Sequence, residues 1–232
     1  MSLREIVLDT ETTGLDPNTG DRLVEIGCVE LINLIPSGQT FHAYIDPERD
    51  MPEEAFRVHG LSAEFLKGKP KFADVVDQFL GFIGNDKLVI HNAEFDIKFL
   101  NAELTRTQHE LLKMERVVNT LALARRKHPG ASNSLDALCA RYRIDNSRRT
   151  KHGALLDSEI LAEVYAELLG GRQSNLVLAS EQTIVIQQAG GMLLGSREIA
   201  LAPTVSDEEI VAHDKFMQKL GEKALWTRYL QP

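Results

Sequence analysis

Ile6-Val7-Leu8-Asp9-Thr10-Glu11-Thr12-Thr13-Gly14 is the stretch on which the reading of this chain turns. Ile6, Val7 and Leu8 are apolar and partly β-branched, and they predict a buried strand. The side-chain period of a strand is two, so Asp9 and Glu11 point to the same side. Two carboxylates at the end of a buried strand repel each other and are costly to keep ionised without compensation. Two readings follow from these residues alone. The acids are either solvated at a strand end ahead of a Thr-Gly turn, or hard oxygen ligands for Mg²⁺ or Mn²⁺. More acids in matching contexts would decide between them.

At 232 residues the chain can form one well-packed domain with an appendage, or two small domains. A hydrophobic fraction of 43% and a charged fraction of 26% are those of an ordinary globular protein. The net charge of −8 argues against tight, non-specific binding of duplex DNA by the chain alone, though not against nucleic acid as a substrate. Cys28 and Cys139 are the only cysteines, which excludes a disulfide framework and a four-thiolate metal site. No apolar run approaches the ~18 residues of a membrane span, and there is no signal-peptide core. The expectation is a cytoplasmic protein without a membrane partner.

Residues 1–170 alternate strand-like and helix-like segments. Leu23 to Leu34 is apolar and rich in β-branched residues, Pro36-Ser37-Gly38 marks a hairpin-type turn, and Thr40 to Asp46 alternates. Leu88-Val89-Ile90 reads as a short buried strand leading into a helix from Ala93 to Leu104, with Phe95, Phe99 and Leu100 at helical spacing. Val117-Val118 suggests a further strand. Helices are predicted over Leu121 to Arg126, Ser134 to Tyr142 and Ala154 to Leu169. Antiparallel strands followed by β–α alternation give an α/β domain with a mixed central sheet flanked by helices.

Beyond Gly170-Gly171 the pattern changes. Residues 171–205 lack a sustained period yet are too apolar for a polar, disordered linker. Ser206-Asp207-Glu208-Glu209 has the spacing of a capping box ahead of a helix containing Ile210, Phe216 and Leu220. The chain closes on Leu225, Trp226, Tyr229 and Leu230. Such a tail, residues 206–232, cannot build its own core, so it docks on the first domain or on another protein; the second is favoured.

Two further acids match the first pair. Asp96 in His91-Asn92-Ala93-Glu94-Phe95-Asp96 lies near the start of a helix that follows a buried strand, where α/β folds place ligands. Asp157 in His152-Gly153-Ala154-Leu155-Leu156-Asp157 falls in line with Ile160 and Leu161 on a core-facing stripe. Taken singly, Asp157 reads first as an N-terminal-turn acid stabilised by the helix dipole. His152 and His59 (in Val58-His59-Gly60-Leu61) read singly as ordinary histidines.

The joint pattern is more specific than its parts. Asp-x-Glu on a strand, then His-Asn-Ala-x-Phe-Asp, then His-x4-Asp resembles the DEDDh branch of 3′–5′ exonucleases over about residues 4 to 170. Within it, Val58–Leu61 and His152–Tyr165 are similar to the proofreading subunits of bacterial replicative DNA polymerases. The resemblance implies an RNase H-like core. It implies two divalent ions, Mg²⁺ or Mn²⁺, on Asp9, Glu11, Asp96 and Asp157, with His152 as the general base toward the attacking water. It also implies a pocket for the 3′ nucleotide of DNA lined by Thr12, Thr13, Leu15, His59, His91, Asn92 and Phe95. The backbone amides of the threonines would reach the 3′-hydroxyl, and Leu15 would wedge against the base.

The same resemblance implies that the tail binds the catalytic (alpha) subunit of the polymerase, with Ala224-Leu225-Trp226 at its end. Gln182-Thr183-Ile184-Val185-Ile186 is similar to a sliding-clamp-binding pentapeptide, but Ile186 stands where an aromatic is usual. A small accessory subunit on the nuclease domain is a further partner that no stretch of sequence identifies. The basic run Arg141, Arg143, Arg148, Arg149, Lys151 reads either as a solvated loop or as a track for the incoming strand. The alternative activity is a free-standing enzyme trimming RNA or short oligonucleotide 3′ ends.

Overall fold

The computed structural model describes residues 3–149, 151–170 and 206–220. The chain divides into two compact units, Met1–Val177 and Leu178–Pro232. The first is built on a five-stranded sheet: β1 (Arg4–Thr12), β2 (Leu23–Ile32), β3 (Ile35–Tyr44), β4 (Lys87–Ile90) and β5 (Val117–Asn119). The strand order is β3-β2-β1-β4-β5. β1–β2 and β2–β3 pair antiparallel, whereas β1–β4 and β4–β5 pair parallel. This is the mixed α/β sheet that the segment order predicts.

β1 is central and buried on both faces, and its alternation sorts the core into two layers. Ile6 and Leu8 pack with Leu88 and Ile90, under the helices α3 (Phe72–Ile83) and α4 (Ala93–Arg106). Val7 and Val89 pack on the other face under α5 (Thr120–Lys127), α6 (Leu135–Tyr142) and α7 (Ala154–Leu168). Two shorter helices, α1 (Glu53–His59) and α2 (Ala63–Leu66), precede α3. The α3 helix was not anticipated, although Phe72, Val75, Val76, Phe79 and Ile83 recur at helical spacing and are all buried.

One local expectation is corrected. The β2–β3 hairpin turns at Asn33 and Leu34, both at positive φ (51° and 68°), and Pro36-Ser37-Gly38 lie inside β3. A two-residue connection needs positive φ at both positions to match the strand twist. Asn33 accepts this easily, and its Oδ1 receives the amide of Leu3. Pro36 is tolerated because β3 is an edge strand.

The second unit is described over one helix, α8 (Asp207–Leu220). Its capping box forms as the spacing predicts: Ser206 Oγ accepts the Glu209 amide, and Glu209 Oε2 accepts the Ser206 amide. Ile210, Val211 and Phe216 on it are exposed. The expected clamp-like peptide Gln182–Ile186 and the closing Ala224-Leu225-Trp226 lie outside the described residues. Among the described residues no helix is long and apolar enough to cross a membrane.

Candidate active site

The carboxyl ends of β1 and β4 lie side by side because these strands are parallel, and the predicted acids converge there. Asp9 and Glu11 end β1 on the face that carries α7. Asp96 sits in the first turn of α4, buried, with Oδ1 accepting the Thr10 hydroxyl at 2.7 Å. His91 and Asn92 join β4 to α4, and Asn92 is held in the left-handed region (φ 62°, ψ 48°). That tight entry brings the first turn of α4 to the strand ends.

Asp157 reaches the cluster by another device. Asp9 is paired across the sheet with Gly27. A Cβ at Gly27 would lie 2.2 Å from the Leu155 amide nitrogen and 2.3 Å from the Ala154 carbonyl carbon. Only glycine lets the first turn of α7 rest directly on β2. Ser158 Oγ then donates to the Gly27 carbonyl at 2.9 Å, fastening the helix there. Asp157 is buried as a result, in line with Ile160 and Leu161 as the periodicity predicts.

His152 lies on the loop before α7, half-exposed, and its amide donates to the Val58 carbonyl of α1 at 3.2 Å. Single ligand atoms of Glu11, His152 and Asp157 lie within 4.8 Å of one another. The electrostatics are those of crowded acids. Burial, then the neighbouring carboxylates, holds Asp9 well above the usual range. Burial and the charge of Asp157 push Glu11 up to about 8. Burial pushes Asp96 up to about 7, against the opposing hydrogen bond from Thr10. Burial and the nearby Arg149 hold His152 below its ordinary value, so its ring is neutral near pH 7.

These acids open onto a cleft of roughly 1550 Å³. That exceeds the ~300–1,000 Å³ of a site for one small molecule, so an extended ligand is accommodated. All seven predicted pocket residues line it: Thr12, Thr13, Leu15, His59, His91, Asn92 and Phe95. Leu15 is 83% exposed at its rim. His59 is buried, its Nδ1 accepts the Leu61 amide, and its Nε2 has no hydrogen-bond partner among the described residues. Nε2 therefore carries the ring proton, with the Thr12 backbone as its neighbour in the protein.

Two expectations change. The Thr13 amide donates to the Arg22 carbonyl at 2.9 Å and its hydroxyl accepts the Arg22 amide, so Thr13 braces the turn and has no free amide for a ligand. The basic run is not simply a solvated loop. Arg141 bonds the Ser132 carbonyl, Lys151 bonds the Arg57 carbonyl, and Arg149 is folded into the acid cluster. Gly27 and the cleft-lining Glu54 escaped the sequence reading, and Arg149 entered it only as one member of the basic run, not as a partner of the acids. Arg149 looked like one more loop cation, and Gly27 like a strand glycine; no periodic signal marks either.

Residues 6–165 match a sequence profile described as "Exonuclease". The chain is 50% identical over 229 residues to the DNA polymerase III subunit epsilon of Rickettsia conorii, spanning 96% of this chain and 99% of that one. It is 45% identical over 238 residues to the subunit of that name from Escherichia coli K12, spanning 96% and 97%. Among solved structures it resembles Exonuclease X in complex with 5′ overhanging duplex DNA (26% identity, TM-score 0.57, 71% of this chain and 90% of that one). It also shares its fold with a DEDDh-family nuclease domain bound to rAMP (18% identity, TM-score 0.63, 72% and 92%).

Proposed function

We propose, for a chain that belongs to the DNA polymerase III epsilon family of 3′–5′ exonucleases, a residue-by-residue account of how it removes nucleotides from DNA 3′ ends. The observation that carries it is the convergence of four acids with a single guanidinium among them, at the floor of a cleft. The family depends on divalent metal ions, and this donor set fits them: crowded carboxylates are hard ligands whose repulsion a cation relieves.

Asp9, Glu11, Asp96 and Asp157 would hold two such ions, Mg²⁺ or Mn²⁺, which would supply positive charge for the attacking and leaving oxygens of the phosphodiester. His152, neutral near pH 7, takes the proton of the attacking water. The products are a nucleoside 5′-monophosphate and a DNA strand one residue shorter. Nε2–H of His59 supplies a hydrogen bond to an acceptor on the terminal nucleotide. Leu15 covers the terminal base from one side, and Phe95, His91 and Asn92 complete the wall. Thr12 remains the candidate for a backbone contact to the 3′-hydroxyl.

By the names of its relatives, the chain is the proofreading subunit of a replicative polymerase. Residues 206–232 serve as the attachment to the catalytic subunit; the capped, amphipathic α8 with Ile210, Val211 and Phe216 exposed supports this reading. The peptide Gln182–Ile186 is a candidate clamp contact. The defining assay supplies Mg²⁺ with matched DNA, mismatched DNA and RNA 3′ ends. Release of 5′-monophosphates from frayed DNA ends, abolished by chelator, is the expected result; activity confined to RNA would overturn the DNA assignment. Deleting residues 206–232 is expected to leave single-strand hydrolysis intact and to abolish co-purification with the polymerase. Loss of hydrolysis would show instead that the tail completes the nuclease.

A further inference from the structure

Arg149 makes four contacts at once, all within the catalytic cluster or at its edge. Nε donates to Asp157 Oδ1 at 2.5 Å, and Nη2 donates to Asp157 Oδ2 at 2.7 Å. Nη2 also donates to Nδ1 of His152 at 2.9 Å, and Nη1 to Asp136 Oδ1 at 2.8 Å. The side chain is only 8% exposed. Among the described residues this is the sole Lys or Arg paired with any of the four site acids.

These contacts oppose the proposed chemistry. Both oxygens of Asp157 are taken by a planar fork, the strongest geometry a guanidinium offers a carboxylate. A cation cannot bind Asp157 in that fork's place while the fork is closed. The base is blocked as well. Nδ1 of His152 accepts from Arg149, so the ring proton is on Nε2, and neither nitrogen is free to receive a proton. Finally, a fixed positive charge a few ångströms from a divalent ion's site opposes the ion directly.

We propose that Arg149 is a displaceable internal counter-ion: it latches Asp157 and His152 in the metal-free protein, and divalent ions evict it as they bind. The inference rests on the metal site of the proposed function. One positive charge shared among four acids is a partial compensation, enough to let the empty site fold. Two divalent ions compensate fully, and their arrival frees both Asp157 oxygens and Nδ1 of His152 in the same event. Metal binding and activation of the base are thereby a single step, so a metal-free site has no competent base. A permanent structural pair would be built differently. Glu103 is such a case, one buried acid bonded by two arginines, Arg22 and Arg106.

The test has two parts. In Arg149→Gln, isothermal titration should show Mn²⁺ binding tighter by on the order of tenfold or more, because the competing charge is gone. Arg149→Lys, which keeps the charge without the fork, should fall between. A merely structural arginine predicts the reverse, weaker binding through a disordered loop. The second part uses the unaltered protein, so it survives any folding defect of the variants. With ¹⁵N-labelled arginine, the Arg149 Nε–H resonance, assigned by its loss in Arg149→Lys, should be protected from exchange without metal. It should shift and exchange rapidly as Mg²⁺ saturates the site. Metal uptake with an unmoved Arg149 resonance, or with affinity unchanged or weakened in Arg149→Gln, overturns the latch and leaves the proposed activity standing. No metal uptake by any of these proteins overturns both.

Discussion

Glu103 and the cleft acids are largely withdrawn from solvent, Asp9 less so than Glu11, Asp96 and Asp157, but under opposite terms. Glu103 is 1% exposed and receives both nitrogens of the Arg22 fork at 2.6 and 3.0 Å, plus Arg106 at 2.9 Å. Two cations serve one acid there. At the cleft, among the described residues, Arg149 is the one Lys or Arg paired with any of Asp9, Glu11, Asp96 and Asp157, and it pairs with Asp157. An overcompensated acid is a strut, closing the α4 helix onto the loop before β2. An undercompensated group of acids stores repulsion that a bound cation releases. Burial alone does not separate the two; the count of opposing charges does.

The comparison is broken most directly by exchanging the acids' fates. Asp9→Ala and His152→Ala should each lower kcat/KM on a single-stranded 3′ end. About 10²–10⁴-fold is expected for the base and at least as much for the ligand. Metal-free Asp9→Ala should melt no lower than the parent, since the change removes a repelling charge. A clear drop in its Tm would put Asp9 in the same structural class as Glu103. Glu103→Ala should do the opposite: lose about 3–5 kcal/mol of stability, read in a denaturant titration, while the folded fraction hydrolyses at the parental rate.

Gly27→Ala sharpens the contrast from the side of geometry. The added methyl collides with the first turn of α7, so Asp157 and His152 move together. Displacement of about 1 Å at a catalytic constellation costs roughly 10²-fold, and kcat should fall by about that factor with the helical content retained. Parental kcat in a folded Gly27→Ala would mean that α7 is not placed by this contact.

The smallest effect is the pH dependence of the empty site. Glu11 stands at about 8 and Asp96 at about 7, both raised by folding. A raised carboxyl binds its proton more tightly in the folded than in the unfolded chain, so its contribution to stability is full below the unfolded value near 4.5 and is lost as pH rises through about 8. In chelator the Tm should therefore decline across that window. Saturating Mg²⁺ should flatten the decline, because the ion replaces the proton. An identical slope with and without Mg²⁺ would show that these acids do not meet the metal.

Much of the site was legible as pattern. The period of two along Ile6–Glu11 and the stripe Asp157–Ile160–Leu161 each follow from backbone geometry over a few residues, and both hold in the structure. The hairpin was misplaced by a few residues because Pro36-Ser37-Gly38 carries a stronger local turn signal than Asn33-Leu34. Edge position, which a sequence does not display, removed the penalty on Pro36. The threonines line the cleft, but the amide of Thr13 is spent on the Arg22 carbonyl across the turn.

The chain by itself determined the order of its strands and helices and the set of acids its motifs carry, because these depend on side-chain period and on neighbours a few positions away. Tertiary structure alone decided which charges meet. Gly27 and Ser158 are 131 positions apart, yet their contact sets Asp157 against the sheet. Arg149 leaves its loop of basic neighbours for the carboxylates. The strength and sign of an ionic interaction depend on distance and burial, and both are properties of the packed fold.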